Sequence, residues 1–201
     1  MVEAGDPRSD GRGEVTRSLL AFVLGPFVLA CAPSSQETVV ERRAPVCITG
    51  TYRVILDAKL EPAWKEASRK SIRAWAARIG AALDVEEGDA SAERYADCAI
   101  VVLAGEKEHL ASAPSYRNPD GTLAAGTIYL SSAPLSDEAR EATILHEMGH
   151  LVGLDHDLSK EHESVMWPYI QTPPRIGCED WRRACAIWRC EAACQGGGWL
   201  P

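Results

Sequence analysis

The stretch HEMGHLVGLDH, residues 146–156, decides how the rest of this 201-residue chain is interpreted. His146 and His150 are four positions apart, so they lie on one face of a helix, one turn from each other. That spacing lets both imidazoles reach one Zn²⁺ at about 2.0–2.1 Å. Glu147 directly follows the first histidine and can reach the open side of the metal as a general base. The pattern therefore predicts a zinc site on a helix.

A glycine and a third histidine extend the pattern. Gly153 comes three positions after His150, where a glycine can adopt the left-handed conformation that ends a helix. The chain then doubles back, and His156 supplies a third nitrogen. Three protein ligands leave a fourth position for water, which is typical of catalytic rather than structural zinc. The alternative is a surface helix that carries histidines by chance. However, the chain has only five histidines, and three of them fall on this pattern.

A second motif, Ser164-Val165-Met166, follows after a short loop. Together the two motifs resemble the metzincin family of zinc endopeptidases, and the matrixin branch most closely. The long zinc motif of that family, H-E-x-x-H-x-x-G-x-x-H, is matched at every fixed position. Met166 takes the place of the methionine in the family's Met-turn, a tight turn beneath the metal. The resemblance thus covers about thirty residues.

The resemblance implies a fold and a chemistry. The fold is α/β (α+β) of the metzincin-like zincin type, with a small, mostly parallel twisted sheet and an antiparallel edge strand. A long backing helix, an active-site helix and a C-terminal helix complete it. The chemistry is peptide-bond hydrolysis with one catalytic Zn²⁺, with Glu147 as the base and Met166 as an apolar floor beneath the histidines. No matrixin-type calcium loop is evident around Asp120, so structural calcium is not expected.

The resemblance also implies that a polypeptide substrate binds in an extended conformation. In metzincins an antiparallel edge strand above the zinc pairs with the substrate by β-augmentation. By resemblance, residues 122–125 form that strand: Thr122, Leu123, Ala124 and Ala125.

The wall of the substrate pocket is less clearly specified. Matrixins place a tyrosine two positions after the proline of the Met-turn, where this chain has Ile170. Other metzincins place an oxyanion-stabilising tyrosine two positions after the methionine, where this chain has Pro168. Tyr169 fits neither pattern. The pocket or oxyanion role therefore stays open between Tyr169 and Ile170, and so does the side-chain preference.

The N-terminus has the features of an export signal. Residues 19–30 form an apolar run that is too short to span a bilayer but suits a signal peptide, with Arg17 as its positive flank. Residues 28–31, Val-Leu-Ala-Cys, resemble a bacterial lipobox, which predicts lipidation of Cys31. The alternatives are an ordinary signal peptide cut near Ala30 and a short buried helix. We therefore expect a protein of the bacterial cell envelope, lipid-anchored or secreted.

The composition of successive segments predicts how the chain is divided. Residues 1–30 are the predicted signal peptide, and residues 31–44 are rich in Ser, Pro and charge, as flexible tethers are. Residues 45–201 remain for one catalytic domain, without repeats. A net charge of −8 argues against a nucleic-acid partner, which requires a basic face. We expect a monomer.

Seven cysteines suit an oxidising compartment. If Cys31 is lipidated, an even number remains for disulfides, with buried free thiols as the alternative. Cys47 precedes the first predicted strand and Cys98 opens a later one. If these strands are parallel neighbours, both cysteines lie at the same end of the sheet, so we predict a Cys47–Cys98 disulfide. An inhibitory zinc-binding role for Cys47 is a minor alternative. The pairing of four further cysteines stays open: Cys178, Cys185, Cys190 and Cys194.

Hydrophobic periodicity places these motifs on helices and strands. The strand–helix–strand order at the start of the domain predicts a right-handed parallel crossover. The predicted elements are strands at 51–58, 83–87 and 98–103, a helix at 61–83, a loop at 106–120, short strands at 122–125 and 127–130 around Gly126, a helix from the Ser136 N-cap to Gly153, and a helix within 178–194.

Three other functions compete with a zinc endopeptidase. The first is a catalytically inactive, zinc-holding binding module of the cell envelope, which has no need of the carboxylate of Glu147. The second is a thermolysin-like hydrolase with a glutamate as third ligand, which the early turn at Gly153 disfavours. The third is a metal-free structural protein of the envelope that is held together by disulfides.

Overall fold

The structure, a computed structural model, describes residues 51–90, 98–105, 110–159 and 164–194. The predicted signal peptide, the tether, Cys31 and Cys47 lie outside the described residues, as do His109 and His162. Within the described ranges, no helix is both long and apolar enough to cross a bilayer.

The order of strands and helices matches the predicted α/β class. A β-α-β-β unit opens the described region, and two helices follow the last strand. The elements are β1 (Thr51–Asp57), α1 (Pro62–Ile79), β2 (Ala82–Gly88), β3 (Ala99–Ala104), β4 (Ala111–Ser112), β5 (Ser115–Arg117), β6 (Leu123–Leu130), α2 (Asp137–Val152) and α3 (Cys178–Trp188).

One mixed sheet contains all six of these strands. Its order is β2-β1-β3-β6-β4, and β5 also pairs with β6. The neighbours from β2 to β6 are parallel, whereas β4 and β5 run antiparallel to β6. The central strand β3 is an almost continuous apolar run that is buried over residues 99–103, as expected for a strand covered on both faces. The predicted sheet, mostly parallel with an antiparallel edge, is therefore confirmed.

Helix α1 backs the helix that carries the zinc motif. Trp75 of α1 is fully buried, and its indole Nε1 donates a hydrogen bond of 2.8 Å to the carbonyl oxygen of Leu145 in α2. Helix α1 is shorter than predicted, because Gly80 takes a left-handed conformation (φ 71°) that ends it. Its tryptophans are core residues, as the amphipathic pattern predicts.

The prediction that residues 122–125 form a separate edge strand is wrong. Thr122 precedes β6, and Leu123, Ala124 and Ala125 lie inside this eight-residue strand, where β5 pairs with Leu123 and Ala125. Gly126 does not interrupt the strand. A Cβ atom there would lie 2.7 Å from Leu151 Cδ2, so the glycine allows α2 to pack closely on the sheet.

The antiparallel edge lies instead where a loop was predicted. Residues 115–117 form β5, which pairs with β6 through Ser115 with Gly126, Tyr116 with Ala125, and Arg117 with Leu123. Short polar strands of this kind carry little hydrophobic alternation, so the sequence pattern did not reveal them.

Two disulfides hold helix α3 and the segment after it. Cys178 pairs with Cys194, and Cys185 pairs with Cys190. Cys98 is also disulfide-bonded. Strands β1 and β3 are parallel neighbours, as the predicted bond to Cys47 requires, but Cys47 lies outside the described residues.

Candidate metal centre

The helix α2 begins where its sequence predicts. Ser136 is the N-cap, and its hydroxyl oxygen accepts a hydrogen bond of 3.2 Å from the backbone N–H of Ala139. Asp137 and Glu138 follow in the first turn, where negative charge complements the helix dipole. This start fixes the register in which the zinc motif appears three turns later.

The helix α2 ends in a turn that Gly153 makes possible. Gly153 has a φ of 113°, and its N–H donates to the carbonyl oxygen of His150 at 3.1 Å. The N–H of Leu154 donates to the carbonyl oxygen of Gly149 at 2.9 Å. This pair of bonds is a Schellman motif, and it turns the chain back toward the helix.

Three histidines converge at this turn. Nε2 of His156 lies 3.1 Å from Nε2 of His146 and 3.2 Å from Nε2 of His150. Two nitrogens at about 2.0–2.1 Å from one tetrahedral zinc ion lie about 3.3–3.4 Å apart, so the observed spacing fits such an ion. Among the described residues, these three form the cluster of side chains that could hold a metal.

Backbone carbonyls orient two of the three rings. Nδ1 of His146 donates to the carbonyl oxygen of Val165 at 2.7 Å, and Nδ1 of His150 donates to that of Leu154 at 2.9 Å. A carbonyl oxygen only accepts, so each Nδ1 carries the hydrogen and each Nε2 of the neutral ring presents a lone pair. Both rings are therefore in the tautomer that a metal at Nε2 requires.

Burial keeps the histidines neutral. It lowers the pKa of His146 to about 4, and the neighbouring His150 adds to the effect. Burial also lowers the pKa of His150 and of His156. Neutral imidazole is the form that binds zinc. The donor set, its spacing and its protonation state all fit a zinc ion.

Glu147 lies between the first two histidines on α2 and is 5% exposed. Burial raises the pKa of its carboxyl group to about 7. A buried carboxyl group that directly follows the first of these histidines in the helix is a candidate for proton transfer.

The predicted Met-turn packs directly beneath the helix. Met166 is fully buried, and a Cβ atom at position 149 would lie 2.2 Å from its sulfur atom. Gly149 therefore gives the turn access to the helix between His146 and His150. Gly149 is not among the residues predicted from the sequence, although an isolated glycine inside an amphipathic helix is a signal of close packing.

A buried carboxylate fixes the Met-turn from below. Asp180 of α3 is 1% exposed and accepts hydrogen bonds from the hydroxyl of Ser164 at 2.6 Å and the N–H of Val165 at 2.8 Å. It also accepts one from the N–H of Gly177 at 3.2 Å. Burial raises the pKa of Asp180, and these hydrogen bonds oppose that shift. Asp180 is not among the residues predicted from the sequence, where its only signal is an acid in the first turn of a helix.

The predicted pocket residues follow the Met-turn at the surface. Tyr169 is 51% exposed, and its ring centroid lies 5.8 Å from that of Trp167. Ile170 is 39% exposed. Their roles at a substrate pocket stay predictions.

Comparison with known proteins gives weak likenesses. No protein-family model and no curated protein matches the chain. The archaemetzincin of Methanopyrus kandleri superposes with a TM-score of 0.46 at 11% identity, over 70% of this chain and 97% of that one. One structure of myroilysin gives a TM-score of 0.44 at 12% identity, over 71% and 81%. Another gives 0.34 at 14%, over 73% and 66%. Any functional assignment therefore depends on the residues of the site.

A methyl group at position 149 tests the contact with the Met-turn. We expect Gly149→Ala to lower the free energy of unfolding by about 1–3 kcal/mol, because Met166 must move away from the helix. Gly88→Ala is the matched control, since its Cβ would meet nothing closer than Ile55 Cγ2 at 3.9 Å. Urea denaturation of both variants measures the difference. Equal stability would show that the close packing has no energetic weight.

Zinc should stabilise the folded chain. A ligand at about 100 times its dissociation constant adds about 2.7 kcal/mol to the free energy of unfolding. We expect this gain for the wild type and its reversal by a chelator. His156→Ala should lose it, whereas His109→Ala, which changes a histidine outside the motif, should keep it. Thermal melts with and without zinc measure the effect, and an equal gain in both variants would exclude His156 as a ligand.

Proposed function

We propose that this chain is a zinc-dependent endopeptidase of the metzincin type. The main observation behind the proposal is the convergence of the Nε2 atoms of three histidines, with a buried glutamate directly after the first of them in the same helix. The match to the long zinc motif and the buried Met166 beneath it support the same assignment. Within this type we propose the matrixin branch, which the zinc motif and the Met-turn of the sequence resemble.

The chain's own residues supply the remaining chemistry. When bound, zinc is a Lewis acid that polarises the scissile carbonyl and activates water. Glu147 takes the proton from the attacking water and delivers it to the nitrogen of the departing amine. His146, His150 and His156 would hold the metal as neutral ligands and would take up no proton in this cycle.

The substrate in this proposal is an extended polypeptide beside β5. This strand replaces residues 122–125 as the substrate edge, because it is the antiparallel strand beside β6 that reaches the end of α2. Main-chain pairing recognises a peptide backbone with little regard to sequence, which suits an endopeptidase. Tyr169 or Ile170 would then contribute to the wall of a side-chain pocket.

Replacement of the proposed base should separate chemistry from metal binding. We expect Glu147→Gln to lower kcat/KM for an unfolded protein substrate by about 100-fold or more, with zinc content unchanged. Glu138→Gln is the matched control, because Glu138 is exposed in the first turn of the same helix. Cleavage of a fluorescently labelled unfolded protein, with zinc determined per chain, provides the measurement.

The alternative function has its own outcome in that experiment. A wild-type chain that binds one zinc ion but cleaves nothing would indicate an inactive binding module. Full activity in Glu147→Gln would contradict the assignment of the base. A wild-type chain that binds no zinc would indicate a metal-free structural protein of the envelope.

We also propose that the enzyme works in the bacterial cell envelope. The two disulfides of the α3 region support an oxidising compartment. Anchoring through Cys31 is the leading form of this proposal, and secretion without lipid is the alternative.

Lipidation can be measured directly. We expect cells that express the wild-type gene to incorporate radiolabelled palmitate into this protein, and Cys31→Ala to abolish the label. Cys178→Ala is the control variant, because the sulfur of Cys178 lies in a disulfide and is not expected to carry lipid. Label that persists in Cys31→Ala would exclude the anchor.

A further inference from the structure

An arginine on the edge strand reaches the turn between the second and third histidines. Arg117 is the last residue of β5, and its Nη2 donates a hydrogen bond to the carbonyl oxygen of His150. Its Nη1 donates to the carbonyl oxygen of Gly121 at 3.0 Å. One planar guanidinium group therefore joins the loop before β6 to the C-terminal end of α2.

The carbonyl of His150 is part of the turn that forms the site. The carbonyl oxygen of His150 also accepts a hydrogen bond from the N–H of Gly153. The carbonyl oxygen of Leu154, the residue after Gly153, accepts a hydrogen bond from Nδ1 of His150. A shift of this carbonyl would move the Schellman turn, the orientation of the His150 ring and the start of the segment that ends at His156. Arg117 thus contacts the point at which the geometry of two ligands is set.

The packing around Gly153 also involves this guanidinium. A Cβ atom at Gly153 would lie 3.2 Å from Nη1 of Arg117 and 2.6 Å from Cδ1 of Ile187. Arg117 and Ile187 therefore enclose the turn and occupy the space that a side chain at position 153 would need. The turn is held by packing as well as by its own hydrogen bonds.

Charge acts in the same direction as this geometry. A cation at the C-terminal end of a helix interacts favourably with the helix dipole, and the carboxylate of Asp155 interacts favourably with Arg117. Burial lowers the pKa of Arg117, and Asp155 opposes that shift. Guanidinium remains protonated in proteins, so the group keeps all its donors. Lysine would provide a single charged nitrogen in place of this rigid fork.

We propose that Arg117 is a positioning residue for the metal centre, which sets the turn between His150 and His156 through the carbonyl of His150. The assignment rests on the zinc site proposed above. It extends that proposal, since Arg117 acts on the site from the strand beside which the substrate is proposed to bind. The residue touches neither the metal nor the reacting atoms in this role.

Metal affinity separates this role from a contribution to stability alone. We expect Arg117→Met to weaken zinc binding by about 10–100-fold, which is the usual effect of removing a group that orients a ligand. Competition with a chromophoric chelator under native conditions measures the dissociation constant. Arg182→Met is the matched control, because Arg182 lies in an exposed ion pair with Glu179 on α3. It should bind zinc within about twofold of the wild type.

Cobalt substitution reports on geometry. The visible absorption of Co²⁺ bound to Arg117→Met should differ in position or intensity from that of the wild type, because the ligand angles change. Arg117→Lys keeps the charge and one hydrogen bond, so its zinc affinity should lie between those of the wild type and Arg117→Met. The free energy of unfolding of each metal-free protein is measured in parallel. It shows how much of the change in zinc affinity comes from a change in the stability of the fold.

Equal zinc affinity in Arg117→Met and the wild type would overturn the proposal while leaving the zinc site intact. If Arg117→Met does not fold, Arg117→Lys decides: zinc affinity weakened by about threefold or more supports the role, and any smaller change overturns it. A wild-type chain that binds no zinc overturns the metal centre and this assignment with it.

Discussion

The arrangement of this site depends on two backbone carbonyls that accept hydrogen bonds from histidine rings. The carbonyl of Val165 binds Nδ1 of His146, and that of Leu154 binds Nδ1 of His150. Each bond fixes both the direction of a ring and the nitrogen that carries its hydrogen. Without them the two rings could rotate and exchange tautomers, and the Nε2 lone pairs would no longer converge. The positions of these two carbonyls are therefore what the surrounding structure has to maintain.

Helix α3 contacts the backbone next to both of these carbonyls, one near each end of the helix. At its start, Asp180 binds the N–H of Val165. At its other end, the indole Nε1 of Trp188 donates to the carbonyl oxygen of Val152 at 2.8 Å, and Ile187 packs against Gly153. An eleven-residue helix is too short to be stable alone in water, so its place depends on these tertiary contacts. Its two disulfides join it only to the segment that follows it.

Sequence patterns predict the parts of this protein whose local signals agree with the fold. The cap at Ser136, the left-handed glycine at position 153 and the spacing of the three histidines all point to one helix and one turn. The edge strand was misplaced, because Gly126 resembles a break in a strand, and only its neighbour Leu151 shows that the missing side chain serves close packing. Arg117 and Asp180 were missed for a related reason. Each acts on backbone groups that are distant in sequence, and no local pattern records such contacts.

The close packing of α2 limits how far its histidines can move. A side chain at Gly126 would meet Leu151, and one at Gly149 would meet Met166, so the helix lies tightly between β6 and the Met-turn. A helix held on two sides has little freedom to shift or rotate. Its first two histidines are therefore held by the packing of the helix as well as by the hydrogen bonds of their own rings. A zinc ion held by these three side chains would keep its fourth position for water or substrate, and that open position distinguishes catalytic from structural zinc.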